Sequence, residues 1–216
     1  FLLQETLPVK ERTQSSTIQT ILGLRKVAKN PNFSSLLLVG ALIAAPFMAY
    51  LALASYIYID GFGVSETTFS MYFALNAGAS ILGPVMYMRF GAGSVKKVIS
   101  AGIMVAIISA ILILTIGNAS PIIFLLSYVL YSIMTSYFRP LISDLLLSAT
   151  KTDVGATSSV MNFVFTVIGS IGMVVGSLQW SSYTGGLGIT MLIFIALTTA
   201  VWFYLLKARS IQFDWK

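Results

Sequence analysis

FSSLLLVGALIAAPFMAYLALASYIYI, residues 33–59, contains no acidic or basic residue of the Asp, Glu, Lys, Arg and His set. A helix needs about 20 apolar residues to cross a hydrocarbon core roughly 30 Å thick, so this stretch predicts a membrane span. Working outward, further uncharged runs occupy 67–88, 98–116, 121–138 and 154–206. The last is long enough for two crossings and breaks at Gln179, Ser181, Ser182, Gly185 and Gly186. The reading is therefore an all-α polytopic membrane protein. Its bundle over 33–207 has six transmembrane helices, at about 33–59, 67–88, 98–116, 121–147, 154–178 and 187–206. A polar segment, 1–32, precedes the bundle, and a tail, 208–216, follows it.

The composition excludes a water-soluble core. Of the 216 residues 57% are hydrophobic and 9% charged, with a mean hydropathy of +0.90, against about 25% charged in soluble domains. A net charge of +6 raises the question of nucleic acid, which would need a basic face interleaved with aromatics. The cations lie at the ends of apolar runs instead, and no nucleic-acid partner is expected. Lys10, Arg12, Arg25, Lys26 and Lys29 precede the first span; Arg89, Lys96 and Lys97 lie between the second and third. Arg139 and Lys151 mark the connection after the fourth, and Lys207, Arg209 and Lys216 follow the sixth. The intervening connections have none, whereas the first of them carries Asp60 and Glu66. The positive-inside rule reads the cationic side as cytoplasmic, with both termini there.

The chain has no histidine and no cysteine. That removes disulfides, haem and the usual zinc sites, so no cofactor or metal is expected. It also removes the histidine base that a serine nucleophile would use, and the reading is not an enzyme. No filter-like loop or ring-forming charged helix points to a channel. Transport and scaffolding remain.

Along the chain, residues 1–8, FLLQETLP, read as the last turn of a helix leaving at Pro8, as though the chain began inside something larger. Thr13–Asn30 is either a short interfacial helix holding Arg25, Lys26 and Lys29 near headgroups or a solvated basic linker. Pro46 removes one backbone hydrogen bond from the first span. The second carries Asn76, Gly78 and Gly83–Pro84, and the third is plainly aliphatic. Tyr128, Tyr131, Ser132 and Thr135 share a face of the fourth, either a hydrogen-bonding seam or a cavity wall. In the fifth, small residues including Gly172-x-x-x-Gly176 predict close helix packing. The sixth is nearly featureless and, like the third, reads as peripheral. Arg139 lies about 27 Å along the fourth helix from Pro121. This is read as near the cytoplasmic surface, with the side chain snorkelling to headgroups or pairing across helices. Asp144 is expected about a turn further toward the cytoplasm.

Several strings together resemble the C-terminal half of a major facilitator superfamily transporter, most closely the Bcr/CflA-like multidrug resistance drug and proton antiporters. Glu5-Thr6-Leu7-Pro8 resembles the ETLP that closes the sixth helix of that group, and Lys10 to Lys29 its basic central loop. Phe62-Gly63-Val64-Ser65 with Phe73-Ala74-Leu75-Asn76-Ala77 is similar to the short external loop and eighth helix. Gly83 to Lys97 resembles the degenerate second copy of the superfamily's loop motif, with Arg89, Gly91, Lys96 and Lys97 basic or small and the usual acid absent. Gly155 to Ser159 looks like the small-residue start of helix eleven. One departure is Tyr56, where members often have a proline.

The resemblance implies one half of that fold, two three-helix units of inverted topology. The first, second, fourth and fifth spans would face a central cavity, and the third and sixth would face lipid. Tyr50, Tyr56, Asn76, Tyr131, Thr135 and Asn162 are then candidates for the substrate wall, holding a small lipophilic or cationic substrate by stacking and cation–π contact. Pro46, Gly83, Pro84, Arg89 and Arg139 are the conformational or motif positions. Implied partners are the substrate, protons, the bilayer of a bacterial cytoplasmic (inner) membrane and an N-terminal six-helix half carrying the coupling acids. Alternatives are another solute, such as a sugar, an amino acid or an organic anion bound by Arg139, and a non-transporting scaffold subunit.

Overall fold

The computed structural model describes residues 31–91, 93–149 and 154–208. The expectations for the first 30 residues, for Lys151 and for the tail beyond 208 lie outside the described residues. Seven α-helices follow in order: α1 Pro31–Ser55, α2 Glu66–Ser80, α3 Leu82–Phe90, α4 Val95–Thr115, α5 Pro121–Ala149, α6 Val154–Gly176 and α7 Tyr183–Ala208. A π-helical turn, Tyr56–Gly61, extends α1, and α2 and α3 form one crossing interrupted at Ile81. Among the described residues the result is six helices long and apolar enough to span a membrane, at Phe33–Gly61, Glu66–Phe90, Val95–Thr115, Pro121–Ser148, Val154–Gly176 and Tyr183–Lys207, numbered spans 1 to 6 below.

Local chemistry sets the turns between them. Ser65, in extended backbone, accepts a hydrogen bond from the Thr68 amide at 3.2 Å and starts α2, with Glu66 in the first turn where a negative charge meets the helix dipole. Gly63 and Gly91 adopt φ of +69° and +64°, a region that favours glycine, and they turn the chain before α2 and after α3. Pro121 opens α5, where its missing N–H costs nothing. α1 continues through Pro46 and α5 through Pro140.

The packing repeats with a period of three spans. Span 1 packs along span 5 as span 4 packs along span 2, and span 1 lies on span 6 as span 4 lies on span 3. Spans 1 and 4 touch each other, as do spans 3 and 6. Exchanging each span with the one three places later thus preserves the main contacts, although spans 5 and 6 touch without a matching contact between spans 2 and 3 of the same extent. Three is odd, so the counterpart runs the opposite way across the bilayer, which is the pattern of two inverted repeats. This architecture is consistent with one half of a major facilitator fold.

Span 1 is the most buried and span 2 the least. Gly169, Gly172 and Gly176 of span 5 lie against Met48, Ala45, Ala49 and Leu53 of span 1, close enough for helix backbones to approach. The small-residue stripe is therefore a packing seam. Toward the end of the bundle carrying the cation-free loops, Tyr50, Tyr58, Tyr72, Phe73, Phe124 and Tyr128 form an aromatic cluster joining spans 1, 2 and 4. The Tyr50 and Tyr128 rings stack with centroids 4.0 Å apart.

Candidate functional site

Three spans leave a groove at their mid-depth. It holds roughly 200 Å³ and runs between span 1 (Gly40, Ile43, Ala44, Phe47, Met48), span 4 (Thr135, Ser136, Phe138, Arg139, Ile142) and span 5 (Asn162, Phe165, Thr166). Pro46 lies midway between Pro31 and Gly61, Thr135 midway along α5 and Phe165 midway along α6. The groove therefore lies at or just to the cation-rich side of the middle of each helix. Spans 3 and 6 take no part in it. They pack on each other and present Met104, Ile108, Ile193 and Leu197 outward.

The structure brings Thr135, Asn162 and Arg139 together here. The Thr135 side chain is 8% exposed, and its Oγ1 has no partner on another helix, lying beside the Tyr131 hydroxyl of its own. Asn162, Thr166 and Arg139 are exposed to the groove side. Tyr131, one turn before Thr135, is fully buried, and its hydroxyl donates to the Ile43 carbonyl. It fixes spans 1 and 4 to each other beside the groove.

Arg139 lies deeper than its distance from Pro121 suggests. α5 runs on to Ala149, so about 15 Å of helix separates Arg139 from that end, and Thr135, the midpoint, is about 6 Å away. Among the described residues no carboxylate pairs with it. The acid of the same helix, Asp144, instead accepts a hydrogen bond at 2.9 Å from the Tyr87 hydroxyl of span 2. Asp144 thus links spans 2 and 4.

The other candidates lie elsewhere. Tyr50 is 1% exposed inside the aromatic cluster, its hydroxyl without a partner. Asn76 is buried in the packing of span 2, one turn before Ser80, whose hydroxyl lies 2.7 Å from that of Ser132 on span 4. Tyr56 is exposed and faces Tyr183, their rings 5.6 Å apart. Both line a more open notch of roughly 520 Å³ formed by the connection between spans 5 and 6, away from mid-depth. Pro46 is buried in span 1. Gly83 meets the backbone of span 4 at Ile133, Ser136 and Tyr137, whereas Pro84 and Arg89 are exposed.

Several wall residues escape a reading of the sequence. Thr166 follows Asn162 by one helical turn, and Ala44 and Phe47 share a face of span 1, so helical spacing could have found them. Gly40 and Met48 lie on that same face, but apolar and small residues occur on every face of these helices, so the spacing does not single this face out as a wall.

No protein-family model matches the chain. The chain is similar to an uncharacterized MFS-type transporter, YdgK, of Bacillus subtilis (strain 168), at 30% identity over 115 residues. The matched stretch covers 52% of this chain and 28% of the relative's length.

Proposed function

We propose that this chain is the C-terminal six-helix half of an MFS-type secondary transporter, forming one wall of a central cavity that carries small lipophilic solutes by alternating access. The whole protein's activity on this reading is proton-coupled multidrug export across a bacterial cytoplasmic membrane. The observation that carries it is the groove: a polar and aromatic recess at mid-depth, where the two three-helix repeats meet, is where transporters of this construction bind their cargo. Similarity to an MFS-type transporter over half the chain supports the same reading. So does the groove's size, since roughly 200 Å³ falls below the 300–1,000 Å³ or so of complete ligand sites, as one wall of a shared cavity should.

In this scheme Thr135 and Asn162 face the solute, Phe47 and Phe165 pack on its apolar part, and Tyr131 is a strut between spans 1 and 4. Tyr50 and Asn76 hold span 2 in place, and Tyr56 belongs to the rim. No acid lines the groove. The proton-carrying carboxylate then comes from the opposing N-terminal half, and protons, that half, the solute and the bilayer are the working partners. The cation-rich end, with both termini, faces the cytoplasm.

The absence of cysteine makes the test clean. In reconstituted vesicles, Thr166→Cys should react with a hydrophilic maleimide many times faster than Ile108→Cys on the outer face of span 3. Equal, slow labelling of the two would remove the groove as a path for solutes.

A further inference from the structure

Resting on that reading of the groove, we infer that its solutes carry a carboxylate, with Arg139 as the counter-ion. An ionised side chain at this depth is costly and is found paired or facing a pathway. Arg139 is not paired among the described residues: Asp144, five positions on, lies on another face of the helix, where it accepts from the Tyr87 hydroxyl of span 2. Asp60 and Glu66, the other described acids, lie at the opposite end of the bundle.

The groups around Arg139 match an anionic head. One helical turn away, the Thr135 hydroxyl is more than nine-tenths buried and lines the groove, and beyond the neighbouring Tyr131 hydroxyl of its own helix it has no partner. Asn162 and Thr166 bring an amide and a second hydroxyl from span 5. A guanidinium offers two parallel N–H donors to the two oxygens of a carboxylate, and neighbouring hydroxyl and amide donors satisfy the remaining lone pairs. Ile43, Phe47 and Phe165 supply an apolar wall for the rest of the molecule. A lipophilic cation would meet the same guanidinium as a like charge in a medium of low dielectric. The class that fits is therefore a small amphiphilic organic acid, and the cationic substrate expected from the sequence does not suit this wall.

Three ligands of one shape separate charge from hydrophobicity: 2-naphthoate, 2-naphthylmethanol and 2-naphthylmethylammonium. Their affinities are measured by calorimetry on the full chain in phosphatidylcholine nanodiscs. The expected result is naphthoate binding at least tenfold tighter than the alcohol, with the ammonium weakest. That preference should fall to within about twofold in Arg139→Gln and survive in part in Arg139→Lys, while Thr135→Val weakens naphthoate more than the alcohol. Binding of the ammonium as tight as naphthoate, or an unchanged preference in Arg139→Gln, overturns the carboxylate assignment and leaves the transporter wall standing. Failure of all three to bind the wild-type chain overturns both. Replacing the lipid with phosphatidylglycerol should weaken naphthoate binding to the wild-type and Arg139→Gln chains by the same factor, the depletion of an anion at a negative surface. A loss tenfold greater in the wild-type chain than in Arg139→Gln would assign Arg139 to a lipid headgroup and overturn the proposal.

Discussion

Gly172 has no room for a side chain. A Cβ built there would lie 2.5 Å from the Ala45 carbonyl oxygen, and one at Gly83 would lie 2.6 Å from both the Ile133 oxygen and the Tyr137 nitrogen. These neighbours are backbone and cannot rotate away, so a methyl group must push two helices apart. Overpacking of this kind costs about 1–3 kcal/mol. Gly172→Ala and Gly83→Ala should each lower the unfolding midpoint in detergent by several degrees. Gly78→Ala, with open space around it, should leave the midpoint unchanged or raise it, because alanine favours the helix. An equal loss at all three would mean that close helix approach is not what these glycines provide.

Polar side chains act as links between elements. Spans 2 and 4 are joined at successive depths by Ser80 with Ser132 at 2.7 Å, Tyr87 with Asp144 at 2.9 Å, and the Tyr137 hydroxyl donating to the Gly91 carbonyl at 2.6 Å. On the far side, Trp202 Nε1 of span 6 donates to Ser100 Oγ of span 3 at 3.2 Å. Each such bond inside a membrane contributes only about 0.6 kcal/mol on average. Their placement matters more than their strength, because they set the rotation of one helix against the next. Two serine hydroxyls in contact put their Cβ atoms near the separation a disulfide requires. The double variant Ser80→Cys with Ser132→Cys should therefore form an intramolecular disulfide under mild oxidation, read as a shift on a non-reducing gel. If the pair stays reduced while each thiol still reacts with a small alkylating agent, spans 2 and 4 do not have this rotation. Ser132 and Ser136, one turn apart on span 4, serve different contacts at different depths. Ser132 faces span 2, whereas Ser136 lines the groove with span 5.

As a whole, the bundle is two-sided. Spans 3 and 6 back it, and spans 2 and 5 flank the central pair with large exposed surfaces, among them Met71 and Leu75 on one and Phe163 and Val174 on the other. One wall can bind a solute without transporting it, since alternating access requires two bodies that rock about a shared site. Proton coupling also requires an ionisable group that titrates during the cycle, and no acid lines this groove. Liposomes containing this chain alone should therefore show no flux of a lipophilic dye when a pH gradient is imposed, with the background rate matching that of empty vesicles. Sustained proton-driven accumulation would show that the six spans suffice, for example as a pair of copies.

The number of spans followed from the sequence alone. The bilayer demands long uncharged stretches, and those from Phe33 to Ile59 and from Val154 to Leu206 are unmistakable, as is the alternation of lysine and arginine between connections. The neighbours of each helix were decided by the tertiary structure. In a soluble bundle an apolar stripe marks the buried face, but lipid is as apolar as a protein core. Periodicity therefore does not tell Tyr50, locked between Tyr128 and Phe73, from Thr135, open to a groove. Arg139 shows the difference most plainly. Its charge and its place along span 4 could be read directly, but that no described acid faces it depends on how the helices are set against one another, with Asp144 turned to Tyr87 of another helix. The site depends equally on span 5 bringing Asn162 and Thr166 to face it, because hydrogen bonds and close packing between distant segments leave no local pattern in the chain.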